Sequence, residues 1–331
     1  MRALLRGGTQ MLALLRLLQD GRFHSGEALG AALGVSRSAV WKQLQVLQAE
    51  FSLPLHSVRG RGYRLVTPLR LLDADWLNAQ VGAPQWRAHV MPSVDSTNAE
   101  ALRLLPSAPS LPFYVLAERQ TSGRGRRGRS WISPFGENLY YSLVVRVEGG
   151  VRQLEGMSLV VGLALLQVIH AFGVTAAGLK WPNDVLVGDR KLAGVLLELS
   201  GDPADVCHVV IGVGLNVNML EAEPGVIGQP WTSMRAELGP LLNRNELVSE
   251  LNQQLSRYLD IQLRGGFAAL QAEWQACHLW QGRNVALTAG NEPVEGRVLG
   301  VDSSGAIRLC VEGGERVFSG GELSLRLRDD S

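Results

Sequence analysis

The stretch Q-T-S-G-R-G-R-R-G-R-S-W, from Gln120 to Trp131, concentrates glycine and arginine and is termed the arginine loop below. Glycine can turn backbone N–H groups toward a ligand because it adopts φ values that other residues avoid. Arginine adds planar donors that stay charged. Together these groups suit a phosphate-bearing ligand, so we predict an anion-binding loop that is mobile until its anion binds. The residues concerned are Gly123, Gly125, Gly128, Arg124, Arg126, Arg127 and Arg129.

Gly/Arg stretches also occur in disordered nucleic-acid-binding segments of the RGG type. The arginine loop, however, is short and non-repeating, and strand-like runs flank it at Phe113–Ala117 and Leu139–Val147. A loop that is tethered at both ends inside a globular region is typical of a binding site. We therefore favour a ligand site over a disordered tract.

Length and composition limit the remaining possibilities. The 331 residues leave room for two or three domains, at roughly 100–200 residues per domain. The formal net charge is +1, so any DNA-binding surface must be local. The 3 cysteines show no metal-binding spacing and fit a reducing compartment. With no apolar run of about 18 residues, we expect a cytoplasmic protein without membrane contact.

The first segment has the pattern of a winged helix-turn-helix. Ser25 and Ser36 precede two helical patterns as N-caps, and Gly34 makes the corner between them. A basic tip, Arg59–Gly62, then joins two short strands and would contact DNA phosphates. Any small trihelical domain shows such spacings, and its basic residues could form an ordinary solvated face. The candidate DNA contacts are Arg37, Ser38, Lys42, Arg59 and Arg61.

Three further blocks carry polar residues beside apolar runs. D-S-T-N (Asp95–Asn98) is either a helix cap before residues 99–105 or a set of hydrogen-bonding groups for a neutral ligand. K-W-P-N-D (Lys180–Asp184) ends a strand and is also a good turn. R-K-L-A-G (Arg190–Gly194) opens the second strand of a predicted hairpin, where Lys191 could protect a sheet edge. Farther along, glycines at Gly212 and Gly214 interrupt a buried strand, which indicates close approach by a ligand or another backbone.

These blocks, together and in this order, resemble the biotin–protein ligases. Four blocks over about a hundred residues make a far more specific match than any single block. F-H-S-G-E-A-L-G-A-A-L-G-V-S-R-S-A-V-W-K (Phe23–Lys42) and G-E-L-S-L-R (Gly321–Arg326) extend the resemblance over nearly the whole chain. They are similar to the bifunctional bacterial group that is both ligase and repressor.

The resemblance implies a multidomain α+β protein. Residues 1–67 would form the winged helix-turn-helix domain. Residues 68–278 would form a mixed-sheet α/β ligase domain of class II synthetase-like type, with Leu154–Ala171 as an apolar helix covering its sheet. Residues 279–331, with short strands and Gly-rich turns, would form an SH3-like β-barrel.

The resemblance also implies the activity. ATP and biotin, with Mg²⁺, would give biotinyl-5′-AMP, and a lysine of the biotin carboxyl carrier protein would then accept the biotinyl group. With the adenylate as corepressor, a homodimer would bind operator DNA of biotin synthesis genes. Two alternatives stay open: a ligase whose first domain is only structural, and a biotin sensor without catalysis. A lipoate ligase is disfavoured by the arginine loop and by the S-T-N block.

Individual roles follow from the same resemblance. Lys191 and Arg126 would be catalytic, since positive charge offsets the repulsion between carboxylate and phosphate. Asp184 would hold Mg²⁺ through its carboxylate. The biotin-binding residues would be Ser96, Thr97, Asn98, Gln120, Gly123, Arg124, Gly125, Arg126, Trp131, Lys191, Gly194 and Gly212. The ATP- or adenylate-binding residues would be Arg124, Arg126, Arg129, Lys180, Asn183, Asn216 and Arg326, although Asn183 is equally a turn residue and Arg326 could be an ordinary surface arginine.

Overall fold

The computed structural model describes residues 11–80, 84–108, 110–148, 150–202, 205–289, 292–319 and 323–327. Within these ranges the strands form sheets of two, seven and five strands, one in each part of the chain. Helices accompany the first two sheets. This arrangement confirms the predicted multidomain α+β class.

The N-terminal part is a winged helix-turn-helix, as predicted. The side chain of Ser25 accepts a hydrogen bond from the N–H of Ala28, and Ser36 does the same for Ala39, so both predicted caps are present. Gly34 turns the chain between the helices with a φ of 66°. The elements are α1 (residues 11–18), α2 (Gly26–Leu33), α3 (Arg37–Phe51), β1 (Leu55–Val58) and β2 (Gly62–Leu65).

The central part is a seven-stranded mixed sheet in the order β3-β4-β5-β9-β8-β7-β6. Strands β3 and β4 run parallel, and every other neighbouring pair is antiparallel. The strands are β3 (Arg87–Met91), β4 (Phe113–Ala117), β5 (Leu139–Val147), β6 (Ala177–Lys180), β7 (Asp184–Val187), β8 (Arg190–Gly201) and β9 (Cys207–Leu215).

The apolar helix α6 covers this sheet, as predicted, and nearly all of its side chains are buried. It begins at Met157 because Gly156, with a φ of 71°, stands outside the helix as its N-cap. Helix α5 begins at Thr97, two residues before the predicted start, and packs through Ala101 on a separate apolar cluster. The helices of this part are α4 (Ala74–Asn78), α5 (Thr97–Leu104), α6 (Met157–Ala171), α7 (Met234–Leu238), α8 (Arg244–Gly265) and α9 (Gln271–Ala276).

The predicted hairpin across Gly188 and Asp189 is formed by β7 and β8. Strand β8, which carries Lys191, lies between β7 and β9 in the interior of the sheet. A strand that is paired on both sides has no edge to protect. The edge-strand interpretation of Lys191 is therefore wrong.

The C-terminal part is a five-stranded antiparallel sheet in the order β13-β12-β11-β10-β14. Its apolar side chains join the same core as α6, and Trp181 donates a hydrogen bond of 3.0 Å to the carbonyl of Gly305. Gly321 and Glu322, the start of the G-E-L-S-L-R motif, lie outside the described residues. The strands are β10 (Asn284–Ala289), β11 (Glu292–Val301), β12 (Ile307–Val311), β13 (Gly314–Phe318) and β14 (Ser324–Leu327).

A buried ion pair fixes the segment between the first two parts. Arg244, at the start of α8, pairs with Glu118 at the end of β4, and their side chains are 0% and 2% exposed. The guanidinium of Arg244 also donates to the carbonyl of Arg70 at 2.8 Å, and Glu118 accepts from the N–H of Leu72 at 2.6 Å. The side-chain amide of Asn245 donates to the carbonyl of Leu71, which lies between Arg70 and Leu72 in the chain. The connecting segment is thus held by buried, charged hydrogen bonds.

We predict that Glu118→Ala lowers the free energy of unfolding by about 3 kcal/mol, because it leaves the guanidinium of Arg244 buried without a counter-ion. Urea unfolding with circular dichroism measures the change. Glu315→Ala, which removes an exposed ion pair with Arg308, is the control and should hardly move the midpoint. Equal midpoints for Glu118→Ala and the unmodified chain would contradict this account.

Candidate active site

The structure gathers most of the predicted site residues around one pocket. The arginine loop forms one wall, and the start of α5, the turn between β6 and β7, and strands β8 and β9 form the rest. The predicted residues that line it are Ser96, Thr97, Asn98, Gln120, Arg124, Gly125, Arg126, Arg129, Trp131, Lys180, Asn183, Asp184, Lys191, Gly194 and Gly212.

Three predicted residues do not line the pocket. The carbonyl of Gly123 accepts the N–H of Trp131, and a Cβ at Gly123 would lie 2.5 Å from the carbonyl oxygen of Trp131, so this glycine is needed to close the loop. Asn216 is buried, and its amide donates to the carbonyl of Thr232 at 3.0 Å. Arg326 is exposed on β14. As direct ligand contacts, these three predictions find no support in the pocket geometry.

One end of the pocket is neutral and rich in hydrogen bonds. Both the N–H and the hydroxyl of Thr97 donate to Gln120 Oε1, at 2.9 and 3.2 Å. The amide of Gln120 donates in turn to the hydroxyl of Ser133 at 3.1 Å. Ser96 occupies the N-cap position of α5, yet its side chain makes no capping hydrogen bond. The S-T-N block therefore does more than start a helix, because Ser96 makes no capping hydrogen bond and all three residues line the pocket.

Asn98 is tied into the protein on both sides of its amide. Asn98 Oδ1 accepts from the hydroxyl of Ser142 at 2.6 Å, and Nδ2 donates to Glu198 Oε2 at 2.7 Å. Ser142 and Glu198 were not predicted from the sequence as site residues. A signal was present for Ser142, because it is a polar residue inside a strand-like run of apolar residues, and a polar group buried there needs a partner.

The glycines of β9 make room for side chains of the site. A Cβ at Gly212 would lie 2.4 Å from Asn98 Oδ1, and one at Gly214 would lie 2.5 Å from the indole of Trp131. Real contacts of a Cβ are much longer than this. The sequence reading expected a ligand or another backbone at these glycines. The structure places two pocket side chains there, and both glycines also line the pocket.

The other end of the pocket is cationic. Lys191 Nζ lies 2.7 Å from Asp184 Oδ1, and both side chains are 16% exposed. The ammonium group of Lys180 lies 4.6 Å from the centre of the Trp280 ring, and burial lowers the pKa of Lys180. A Cβ at Gly194 would come within 3.3 Å of both Lys191 Nζ and Asp184 Oδ1, so glycine leaves space for this ion pair.

Two arginines fasten the loop over the pocket. Arg126 donates to Asn183 Oδ1 at 3.0 Å and to the carbonyl of Leu323 at 3.3 Å, which joins the loop to the β6–β7 turn and to the C-terminal part. Arg124 pairs with Glu198 at 3.1 Å. Asn183 lies in the turn, as the alternative reading held, and also faces the pocket.

Several other residues of the pocket lining were not predicted from the sequence. Most are apolar or aromatic side chains, for which a core role and a pocket role look the same in a sequence. They are Ser130, Tyr141, Trp181, Pro182, Val195, Leu196, Val213, Gln229, Leu323 and Leu325.

The predicted DNA-contact residues are all exposed on the N-terminal part: Arg37, Ser38, Lys42, Arg59 and Arg61. The first three lie at the start of α3, and the last two lie at the tip of the β1–β2 hairpin. The guanidinium of Arg61 stacks 4.3 Å from the centre of the Phe23 ring. Their placement forms a local basic surface on a chain of nearly neutral net charge.

Comparison with protein families gives three matches. Residues 90–216 match the biotin/lipoate A/B protein ligase family. Residues 10–64 match an HTH domain, and residues 282–326 match the biotin protein ligase C terminal domain. Among the described residues, none of the helices has the length and apolar character needed to cross a bilayer.

Individual relatives agree with these matches. The chain is 40% identical to the bifunctional ligase/repressor BirA of Salmonella typhimurium over 96% of this chain and 98% of the relative. Identity to BirA of Escherichia coli is 38%, over 97% and 99% of the two chains. The biotin protein ligase from Aquifex aeolicus, solved in complex with biotin and ATP, superposes with a TM-score of 0.64 and 30% identity, over 73% of this chain and 99% of that one. A helix-turn-helix part joined to a ligase part, with identity this high along nearly the full length, shows that the chain belongs to the biotin protein ligase family, in its group of bifunctional ligase/repressors.

Proposed function

We propose that this chain joins biotin to ATP, transfers the biotinyl group to a carrier protein, and represses biotin synthesis genes when it holds the adenylate. The observation that carries the ligase activity is the pocket itself. It places a neutral hydrogen-bonding end, built on Thr97 and Gln120, against a cationic end that contains Lys180, Lys191 and Arg126. Biotin, with a neutral ureido ring and an anionic carboxylate, matches that division.

The reaction has two steps. In the first, a carboxylate oxygen of biotin attacks the α-phosphorus of ATP. The bond between that phosphorus and the oxygen bridging to the β-phosphate breaks, and pyrophosphate leaves. In the second, the amine of a lysine on the biotin carboxyl carrier protein attacks the carbonyl of biotinyl-5′-AMP. An amide bond forms, AMP leaves, and the amine gives up a proton. Neither step requires a covalent bond to the enzyme.

The barrier in the first step is the approach of two anions. Lys191 and Arg126 supply fixed positive charge where the carboxylate meets the phosphate, which lowers that cost most in the transition state. Arg124, Arg129, Lys180 and Asn183 are proposed to hold the nucleotide phosphates. Asn216 acts indirectly through the backbone around Lys191. Burial is the main cause of the lowered pKa of Lys180, and the positive charge of Arg326 adds to it.

Asp184 is the proposed protein ligand of Mg²⁺. Among the described positions, no group of three or more histidine, cysteine or acidic residues is placed so that it could hold a metal ion. A single carboxylate at the cationic end nevertheless fits magnesium, which is commonly held by one or two carboxylates together with substrate phosphates. When bound, the ion would offset phosphate charge. Asp184 also orients Lys191 through their ion pair.

We predict that Lys191→Ala slows single-turnover adenylate formation by about 100-fold or more, while it weakens biotin binding much less. Rapid quench of the full chain with biotin and Mg-ATP gives the rate, and calorimetry gives the biotin affinity. Arg308→Ala, which deletes a cation on strand β12 outside the pocket lining, is the matched control. A Lys191→Ala rate near that of the unmodified chain would exclude this role.

The N-terminal part is proposed to bind operator DNA through α3 and the basic hairpin. We predict that replacing Arg59 and Arg61 with alanine weakens binding to all DNA sequences and reduces the salt slope by about one unit for each lost phosphate contact. Titration of labelled duplex at several salt concentrations measures both effects. Arg16→Ala, on the exposed side of α1, is the control. A slope that does not change would count against the hairpin.

A single recognition helix and a near-neutral chain give limited affinity for DNA, so repression should require two copies on a two-fold site. We predict that the free chain is mostly monomeric and that biotin with ATP raises both the dimer fraction and operator affinity. Sedimentation and operator titration, with and without these ligands, test this coupling, and carrier protein should relieve repression. The proposed setting is the cytoplasm, where ATP, carrier and operator occur together.

The same mixtures separate the alternatives. If the carrier gains the mass of a biotinyl group but the operator is never bound, the chain is a ligase with a structural first domain. If biotin changes operator affinity but the carrier mass stays the same, the chain is a sensor without catalysis. Only the combination of both readouts agrees with the proposal.

A further inference from the structure

We infer that Glu198 is a positioning residue that fastens the arginine loop to the central sheet and orients the side-chain amide of Asn98. The inference rests on the proposed function, because it concerns retention of biotinyl-5′-AMP in the same pocket. Glu198 does not line the pocket, so it acts through the residues that do.

One carboxylate oxygen makes both contacts. Glu198 Oε2 lies 2.7 Å from Asn98 Nδ2 and 3.1 Å from Arg124 Nη2. A carboxylate can only accept hydrogen bonds, so it requires the NH₂ side of the Asn98 amide to face β8. Asn98 Oδ1 then faces the hydroxyl of Ser142, 2.6 Å away. The orientation of this pocket amide is therefore set mainly by Glu198, with a longer hydrogen bond of 3.4 Å from Asn98 Nδ2 to the carbonyl of Leu196 beside it.

The two contacts complete a path of polar contacts that begins and ends on the arginine loop, in which the single hydroxyl proton of Ser142 is shared between Asn98 Oδ1 and Thr97 Oγ1. From Arg124 it passes through Glu198 and Asn98 into the sheet, and it returns to the carbonyl oxygen of Trp131. Arg124 and Ser130 are themselves bridged across the loop. The intermediate members are Ser142, Thr97, Gln120 and Ser133.

Burial divides the work between the two contacts. The side chain of Arg124 is 47% exposed and that of Glu198 is 25% exposed, so their ion pair is weak and sensitive to salt. The hydrogen bond to Asn98 is partly buried, and Asn98 itself is 3% exposed. Losing that bond leaves a buried amide donor without its charged acceptor, which costs more.

Two substitutions separate these contributions. Glu198→Gln keeps the size and one acceptor oxygen for Asn98 but removes the charge that faces Arg124. Glu198→Leu removes both contacts. We expect adenylate release to become about threefold faster in Glu198→Gln, as for loss of an exposed ion pair, and about tenfold faster or more in Glu198→Leu.

The experiment uses the full chain loaded with labelled biotin and Mg-ATP, and it follows release of biotinyl-5′-AMP after dilution at low and high salt. Release from the unmodified chain should quicken with salt, and Glu198→Gln should reduce that salt dependence by the share that comes from the screened ion pair with Arg124. A general loss of stability would not remove the salt effect. Glu315→Gln, which breaks an ion pair of similar exposure with Arg308, is the control.

A double variant tests whether the contact is shared. If Glu198 acts on the loop through its ion pair with Arg124, Arg124→Gln combined with Glu198→Gln should release the adenylate no faster than Arg124→Gln alone. Release from either Glu198 variant at the unmodified rate overturns the inference. Failure of the unmodified chain to form any adenylate overturns the proposed function instead, so the two failures can be told apart.

Discussion

The buried ion pair between Arg244 and Glu118 is the contact on which the arrangement of the chain depends. Two charges removed from water are stable only where further hydrogen bonds satisfy them. Here those partners are the carbonyls of Arg70 and Asn138 and the N–H of Leu72. A charge that needs backbone partners at defined positions also holds those backbones in place. The segment that joins the helix-turn-helix part to the ligase part is for this reason part of the core.

Glu118 is the first of three consecutive residues that connect different parts of the molecule. Glu118 holds the connecting segment. Arg119 donates to the carbonyl of Glu50, near the end of α3. Gln120 accepts from Thr97 at the neutral end of the pocket. The junction, the DNA-binding part and the pocket are therefore joined through adjacent residues that follow β4. A rotation of this short segment would shift contacts in all three.

The sequence predicted the fold and most of the pocket where a residue type had one physical use. Ser25 and Ser36 cap helices, and the glycines and arginines of the loop form a wall of the pocket. It failed where the use depends on contacts between distant segments. Arg244 looks like an ordinary first-turn residue of a helix, and Glu198 looks like a surface residue of a strand. Lys191 was compatible with a sheet edge until the strand order placed β8 in the interior.

The glycines of β9 limit how the pocket can change. Asn98 and Trp131 rest directly on Gly212 and Gly214, so the depth of the pocket at these points is set by the main chain. Substitution can only add atoms there, and any added atom displaces a side chain that the site uses. Room for a bulkier biotin analogue would have to come from the arginine loop, whose outer residues Arg127 and Gly128 are exposed. The pocket thus has one wall set by main-chain atoms and one wall of loop side chains, and redesign for a new ligand should begin with the loop.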